Sequence, residues 1–347
     1  MTTMRKMGLG IVGCGTISDI HAQAILACGN ALLVCVFSRD RKKAQLVGEK
    51  YGVPFFTEWE EFICHNKLEV VSICTPNGTH LEYVQKVAEA GKHVVIEKPI
   101  EVTIERGKKI VDLCRKNGVR LAVIFQNRFL PAVQRIREII EKGELGRIFH
   151  GSAYIKWYRD QAYYDSGLWR GTVQLDGGGC LINQSIHSID LLQWFMGEVE
   201  SVYGLTGIFA HKNIEGEDNA AAVLRFSSGA IGVIEGSTSI QPAMDRKIEI
   251  HGEKGTATLS GDSVEISIGQ TITKNKNAKS NGSGAASPLA GFCIEPHRRQ
   301  FEAIIDAINK NEDPPVTGKE SLKSLAIVQA VYLSAKTGLP VKMEKLL

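Results

Sequence analysis

The chain has 347 residues, 44% of them apolar, eight cysteines and a formal net charge of only +3. That length suits two domains rather than one small core. The weak positive balance argues against nucleic acid as a partner. No apolar run is long enough to span a bilayer, which argues against membrane insertion.

Two positive charges precede an apolar stretch at the start, as in a signal peptide. The stretch is short and broken by Gly13 and Gly15, so it reads as a first strand and the protein is expected in the cytoplasm. None of the cysteines forms a CxxC pair or a spaced Cys/His cluster. In a reducing compartment they are small buried hydrophobes, and no metal site is expected.

In chain order, strands are predicted at 8–12, 32–37, 70–74, 93–96 and 121–125. Helices are predicted between them at 17–27, 41–51, around 80–90 and at 104–116. Short, nearly continuous apolar strands alternating with helices indicate a parallel sheet covered on both faces. A helix at 131–142 follows, with Val133, Ile136, Ile139 and Ile140 on one face. The pattern then changes to alternating segments at 148–157, 201–209, 220–226, 230–238, 247–251 and 256–259, joined by Gly-containing turns. This reads as an antiparallel sheet with one packed and one open face, the open face being an association surface. Residues 274–290, rich in Asn, Lys, Ser and Gly, read as a mobile loop. Segments 301–310 and 321–337 are helical again. The expected division is an α/β domain on the parallel sheet at 1–126 and an α+β domain at 127–347, whose final helices are free to pack back on the first.

Gly13-Cys14-Gly15-Thr16-Ile17-Ser18 follows a strand and opens a helix, the setting that a dinucleotide fingerprint requires. Gly13 permits the tight turn, and Gly15 lets the backbone approach a pyrophosphate favoured by the helix N-terminus. Ser18 replaces the third glycine. The second strand ends at Ser38-Arg39-Asp40 rather than at the acidic residue that grips the ribose of NAD. A hydroxyl and a guanidinium suit a 2′-phosphate, so NADP is slightly favoured over NAD; alternatively Asp40 takes the ribose and Arg39 is solvated. Thr75-Pro76-Asn77-Gly78-Thr79-His80 leaves a strand at the carboxyl edge where ligands collect, with Asn77 or Thr79 placed to cap the next helix.

Glu97-Lys98-Pro99 ends another strand. A lysine there can neutralise a developing alkoxide and lower the pKa of a substrate hydroxyl. Three glycines, 177–179, precede Asn183, Gln184, His187 and Asp190. Asn183 and His187 are four apart and share one helix face. An imidazole is the usual proton acceptor when a hydroxyl is oxidised, and Asp190 is spaced to orient its ring.

Taken in order, these motifs resemble the glucose–fructose oxidoreductase / inositol dehydrogenase / MocA family, over nearly the whole chain. The resemblance implies a Rossmann domain followed by an α+β domain with a large open, mostly antiparallel sheet. It implies NAD(P) held by Gly13, Gly15, Thr16, Ile17, Ser38, Arg39, Thr75, Pro76, Asn77, His80, Glu97 and Lys98. It implies Lys98 and His187 as the catalytic pair, with Glu97 and Pro99 positioning Lys98. The substrate side comprises Lys98, Asn127, Trp169, Arg170, Asn183 and His187, with Arg170 expected on an anion or on the cofactor amide. It also suggests dimers or tetramers built across the sheet.

Many polyol dehydrogenases of the family carry Asp where this chain has Asn183. The Asn-Gln-x-Ile-His version, and the stretch 163–172, resemble members acting on nucleotide-linked sugars. The expected reaction is hydride transfer between nicotinamide and a hydroxyl or keto carbon of a sugar, sugar derivative or polyol. Two alternatives stand beside it: a glycosidase or lyase that uses NAD⁺ transiently, and a sensor that binds nucleotide without turnover.

Overall fold

The computed structural model describes residues 5–275 and 293–347. The first part of the chain runs β1 (Met7–Val12), α1 (Thr16–Ala27), β2 (Ala31–Phe37), α2 (Arg41–Tyr51), β3 (Phe55–Phe56), α3 (Trp59–Ile63), β4 (Val70–Ile73), α4 (His80–Glu89), β5 (His93–Ile96), α5 (Ile104–Lys116) and β6 (Leu121–Val123). The rest runs α6 (Pro131–Glu141), β7 (Ile148–Lys156), α7 (Gln161–Asp165), α8 (Ile186–Met196), β8 (Val199–Gly207), β9 (Asn219–Phe226), β10 (Ile231–Ser237), β11 (Lys247–Gly252), β12 (Gly255–Ser260), β13 (Ser263–Ile268), β14 (Thr271–Asn275), α9 (Glu295–Asn309), α10 (Gly318–Thr337) and β15 (Val341–Lys342). Of the segment read as a mobile loop, 276–290 lie outside the described residues.

The chain forms two compact units. One comprises the described residues up to Glu101, Glu105–Gln126 and Cys293–Ser321. The other comprises Val102–Ile104, the described residues from Asn127 to Asn275, and Leu322–Leu347. Helix α9 thus belongs to the first unit although it comes late in the chain.

The first unit is built on a parallel six-stranded sheet of order β3-β2-β1-β4-β5-β6. The strand order reverses between β1 and β4, which makes a crevice at the carboxyl ends of those strands. All six residues of β1 are buried, as an apolar strand covered on both faces must be. Phe301, Ile304, Ile305 and Ile308 of α9 join one core with Ile25 of α1 and Leu9 and Ile11 of β1. Asp40 caps α2 by accepting from the Lys43 backbone N–H at 3.2 Å, and Gly52 ends that helix in the left-handed region at φ 65°.

The second unit is a nine-stranded sheet of order β14-β13-β12-β11-β7-β10-β9-β8-β15. Every neighbouring pair is antiparallel except β7 and β10, which run parallel. Strands β13 and β14 extend the sheet beyond the expected segments; the alternation Val264, Ile266, Ile268 is present but short and flows into polar sequence. Helix α8 packs on one face closely enough that a Cβ on Gly151 of β7 would lie 2.6 Å from the Met196 sulfur. On the other face Tyr203, Leu205, Val223 and Ile231 are exposed, and the register sets Tyr203, Val223 and Val233 side by side.

Candidate active site

In the first unit, the turn from β1 to α1 has two glycines with opposite surroundings. Gly13 sits at φ 93°, and a Cβ there would lie 2.8 Å from the Cys74 carbonyl oxygen. At Gly15, the N-cap of α1, a Cβ would meet nothing within 4 Å, and no side chain caps the helix. The first N–H groups of α1 therefore face open space, with Gly15 and Thr16 exposed and Ile17 half-buried beside them. Unsatisfied donors at a helix N-terminus fit a dinucleotide pyrophosphate. The serine in the third glycine's place braces the same turn: the Ser18 hydroxyl donates to the Gly15 carbonyl at 2.6 Å.

At the end of β2, Ser38 is half-buried and Arg39 exposed. Asp40 is spent on capping α2. In the next loop, the Thr79 hydroxyl turns back to the Pro76 carbonyl at 2.7 Å. The capping expected of Thr79 is not found, since α4 lacks a side-chain cap bond there, and the His80 ring is fully buried between the carbonyls of Thr75 and Pro99, each 3.1 Å away. His80 thus ties the loop to the segment after Lys98. Thr75 and Pro76 form the rim of the loop, and Asn77 is buried within it.

Glu97 is also turned inward. Its carboxylate accepts from the Lys98 backbone N–H at 3.1 Å and from His21 Nε2–H of α1 at 2.6 Å. His21 is fully buried, and its other nitrogen lies 2.8 Å from the Ser72 hydroxyl. Burial disfavours the His21 cation, but the Cys74 sulfur and the Glu97 carboxylate favour it more, and the ring titrates at about 10. Burial likewise opposes the Glu97 carboxylate, and His21 overrides it, taking the acid down to about 2. His297 of α9, 4.0 Å from Glu97, is held neutral by burial and by the His21 charge, at about 3. The ligating atoms of these three lie within 4.8 Å of one another, and a 2.6 Å N–H···O bond makes the contact a proton-bridged ion pair. Lys98, half-buried, follows directly from this braced carboxylate.

In the second unit, Asn127 is half-buried in the short turn Gln126–Phe129. His187 is the second residue of α8, which is entered through a π turn, Cys180–Ser185, rather than through the continuous α-helix expected from the spacing. Such turns collect at functional sites. Glu217 holds the turn's start: its buried carboxylate accepts from the N–H groups of Gly179 at 3.1 Å and Leu181 at 2.7 Å, and from the Tyr332 hydroxyl at 3.1 Å. Burial pushes its acid above the ordinary range. Gly179 is obligatory there, since a Cβ would lie 1.8 Å from the Glu217 carbonyl oxygen.

Asn183, Gln184 and His187 are all half-buried along this segment. The Asn183 amide donates to Asp176 at 2.7 Å, and the other Asp176 oxygen accepts from the Gly171 N–H at 2.8 Å. Asp190, expected to orient His187, holds Arg128 with both oxygens at 2.7 Å. Arg170 lies over the rings of Tyr163 and Trp169, at 4.2 and 4.8 Å. Sequence reasoning misses His21, Asp176, Glu217 and Arg159; the only local signal is that Asp176 precedes the three glycines.

Residues 7–125 match the family model for the oxidoreductase family with an NAD-binding Rossmann fold. Residues 133–258 match that for the GFO/IDH/MocA C-terminal domain. The WlbA dehydrogenase from Bordetella pertussis, crystallised with NADH and UDP-GlcNAcA, is 34% identical over 97% of this chain and 99% of its own, with a TM-score of 0.84. Its Chromobacterium violaceum counterpart, crystallised with the same two molecules, is 30% identical over 98% of this chain and 96% of its own, with a TM-score of 0.85. A myo-inositol 2-dehydrogenase from Thermotoga maritima is 27% identical over 98% of this chain and the whole of its own.

Proposed function

This chain belongs to the GFO/IDH/MocA oxidoreductase family and is an NAD(P)-dependent oxidoreductase of sugar or polyol hydroxyl carbons, and we propose that its substrate is a nucleotide-linked sugar. The observation that carries this reading is Asn183, an amide bonded to buried Asp176 where polyol dehydrogenases of the family carry a carboxylate. The kinship with two dehydrogenases crystallised with UDP-GlcNAcA supports it.

In this proposal, the substrate side falls to Lys98, Asn127, Trp169, Arg170, Asn183 and His187. His187 accepts the proton of the reacting hydroxyl, and Lys98 holds the same oxygen and stabilises the negative charge that develops on it. Glu97, fixed by His21, positions Lys98 through the bond to its backbone N–H. Asp176 fixes the orientation of the Asn183 amide, whose nitrogen faces the carboxylate. Bound nicotinamide supplies the hydride acceptor or donor.

The cofactor is assigned to the first unit, at Gly13, Gly15, Thr16, Ile17, Ser38, Arg39 and the loop from Thr75. Ser38 and Arg39 favour NADP, since Asp40 is committed to α2 and a guanidinium suits a 2′-phosphate. We assign homo-oligomer formation to the sheet face bearing Tyr203, Val223 and Ile231. A cytoplasmic location accords with a chain that carries eight cysteines and no CxxC pair; among the described residues no helix is long and apolar enough to cross a membrane.

The test is absorbance at the reduced-nicotinamide band with UDP-sugars, free sugars and polyols, each with NAD⁺ and NADP⁺. Net reduction with a UDP-sugar, at least tenfold faster than with inositol, is expected. Net reduction with polyols alone overturns the substrate assignment.

A further inference from the structure

The dipeptide Glu217-Asp218 leads into β9 with both side chains buried. Successive residues of an extended chain point to opposite sides, and each carboxylate here serves a different segment. Asp218 accepts from the N–H groups of Phe209 at 2.9 Å, Ala210 at 2.8 Å and His211 at 3.1 Å, and His211 Nε2 lies 2.8 Å from the Arg159 carbonyl. Glu217 turns instead to the start of the π turn ahead of His187.

Three successive N–H groups end on Glu217. Those of Gly179 and Leu181 donate to its two carboxylate oxygens at 3.1 and 2.7 Å, and that of Cys180 donates to its carbonyl at 2.8 Å. These are donors that the first turn of a helical segment leaves without partners, and Gly179, at the N-cap, has no side chain to offer them. The Tyr332 hydroxyl of α10 donates to the same carboxylate at 3.1 Å. The chain passes Tyr332 so closely that a Cβ on Gly178 would lie 2.4 Å from its hydroxyl oxygen.

The π register is imposed on this segment from outside. Single π turns are rare and collect at functional sites. In this one the Ser185 hydroxyl is fully buried and, among the described residues, has no hydrogen-bond partner. An unpaired buried hydroxyl is a cost that an ordinary helical turn removes by a bond to the carbonyl four residues back. What opposes that relaxation is Glu217 and Tyr332 at the start of the turn. At its end stands Gly236 of β10, where a Cβ would lie 2.9 Å from the Ser185 hydroxyl oxygen.

The register decides where His187 points. A π turn holds one residue more than an α turn, and one residue is about 100° of helical rotation. Relaxation of 180–185 to an α turn would swing His187 by about that angle relative to the glycines before it. Misplacing a reacting group by about 1 Å is enough to cost about 10²-fold in rate.

We infer that Glu217 is a positioning residue for the reaction: it holds segment 180–185 in its π turn and thereby aims His187 at the substrate. This rests on the reading of His187 as proton acceptor and deepens it.

Glu217→Gln keeps the size of the side chain but replaces one accepting oxygen by an NH₂ group, so Gly179 and Leu181 are no longer both served. The test measures kcat, the KM of the sugar and the Kd of the cofactor for wild type, Glu217→Gln, His187→Gln, the double variant and Tyr332→Phe. The substrate is whichever UDP-sugar, free sugar or polyol wild type oxidises fastest, and Tm reports folding. Expected for Glu217→Gln is about 10²-fold lower kcat with cofactor Kd within about threefold. In the His187→Gln background the same change should cost less than about threefold, because the group it aims is gone. Tyr332→Phe should lower kcat by about three- to tenfold, again only while His187 is present, and decides the matter if Glu217→Gln does not fold. A further loss of about 10²-fold in the double variant would show that Glu217 acts elsewhere and would overturn the inference. A wild-type kcat in folded Glu217→Gln, with His187→Gln impaired, overturns it and leaves the proton acceptor standing. A wild-type rate for His187→Gln overturns the proton-acceptor reading itself.

Discussion

The Asn183 side-chain amide donates to the carboxylate of Asp176 at 2.7 Å, so a carboxylate stands directly behind the amide. Because a carboxylate only accepts, this bond fixes which end of the amide faces away from Asp176. Asn183→Asp would set two carboxylates at that distance in a half-buried site. We expect it to cost about 2 kcal/mol or more, and to cut turnover on the natural substrate at least tenfold. The exchange Asp176→Asn with Asn183→Asp restores one charge and one amide. It should recover most of the lost Tm. A double variant no more stable than Asn183→Asp would show that the pair does not act as a unit.

Lys98→Met should lower kcat by about 10³-fold, because it removes the cation assigned to the reacting oxygen. Cofactor affinity should stay within about threefold, since the turn at Gly13–Ser18 and its open helix terminus are untouched. His187→Gln should likewise lower kcat, by about 10²- to 10⁴-fold. Single-turnover absorbance measurements at several pH values check both. A wild-type rate in either variant removes that residue from the mechanism.

How much of this is legible in the sequence depends on the range of the interactions. The dinucleotide turn is legible because Gly13, Gly15 and Ser18 act within one turn of chain. The alternating strands of the second unit are legible because burial repeats every two residues, as in β9, where Ala220, Ala222, Leu224 and Phe226 are buried. The carboxylates that brace the site are not. Glu97 meets His21 across 76 residues, and Glu217 meets Gly179 across 38. Gly177–Gly179 read as glycines that allow close backbone approach and a helix start, but nothing in a stretch of sequence says which distant backbone approaches; at Gly179 it is that of Glu217. The π turn ahead of His187 has no residue signature either. It shifts the helical phase on which the spacing argument for Asn183 and His187 relies.

Arg39→Ala should weaken NADP by about 10- to 100-fold and NAD by less than about threefold, because Arg39 is exposed at the end of β2 while the Asp40 carboxylate caps α2. Titration of bound cofactor by fluorescence measures both constants. Equal losses for the two cofactors, or a wild-type preference for NAD, would remove the 2′-phosphate role. Asp40→Ala provides the contrast. It should lower stability through loss of the helix cap, by about 1 kcal/mol, with little change in cofactor preference.

The buried pair of His21 and Glu97 predicts how stability follows pH. His21 titrates at about 10 instead of 6.5, so its contribution is complete below 6.5 and is lost as pH rises towards 10. Glu97 titrates at about 2 instead of 4.5, so its contribution is complete above 4.5 and is lost as pH falls towards 2. The pair therefore supports the first unit most fully between about 4.5 and 6.5. Neutral His297 supplies no competing charge there. The double variant His21→Gln with Glu97→Gln removes the titration while retaining polar groups of similar size. Thermal melts of wild type and variant across pH 5 to 10 test this. The Tm gap should be largest near pH 6 and should shrink steadily towards pH 10. A gap that stays constant over that range would mean that His21 is neutral in the folded protein and that Glu97 is braced by neutral hydrogen bonds alone. In that case the single variant His21→Gln would cost no more than about 1 kcal/mol, rather than the larger loss expected when a buried carboxylate loses its cation.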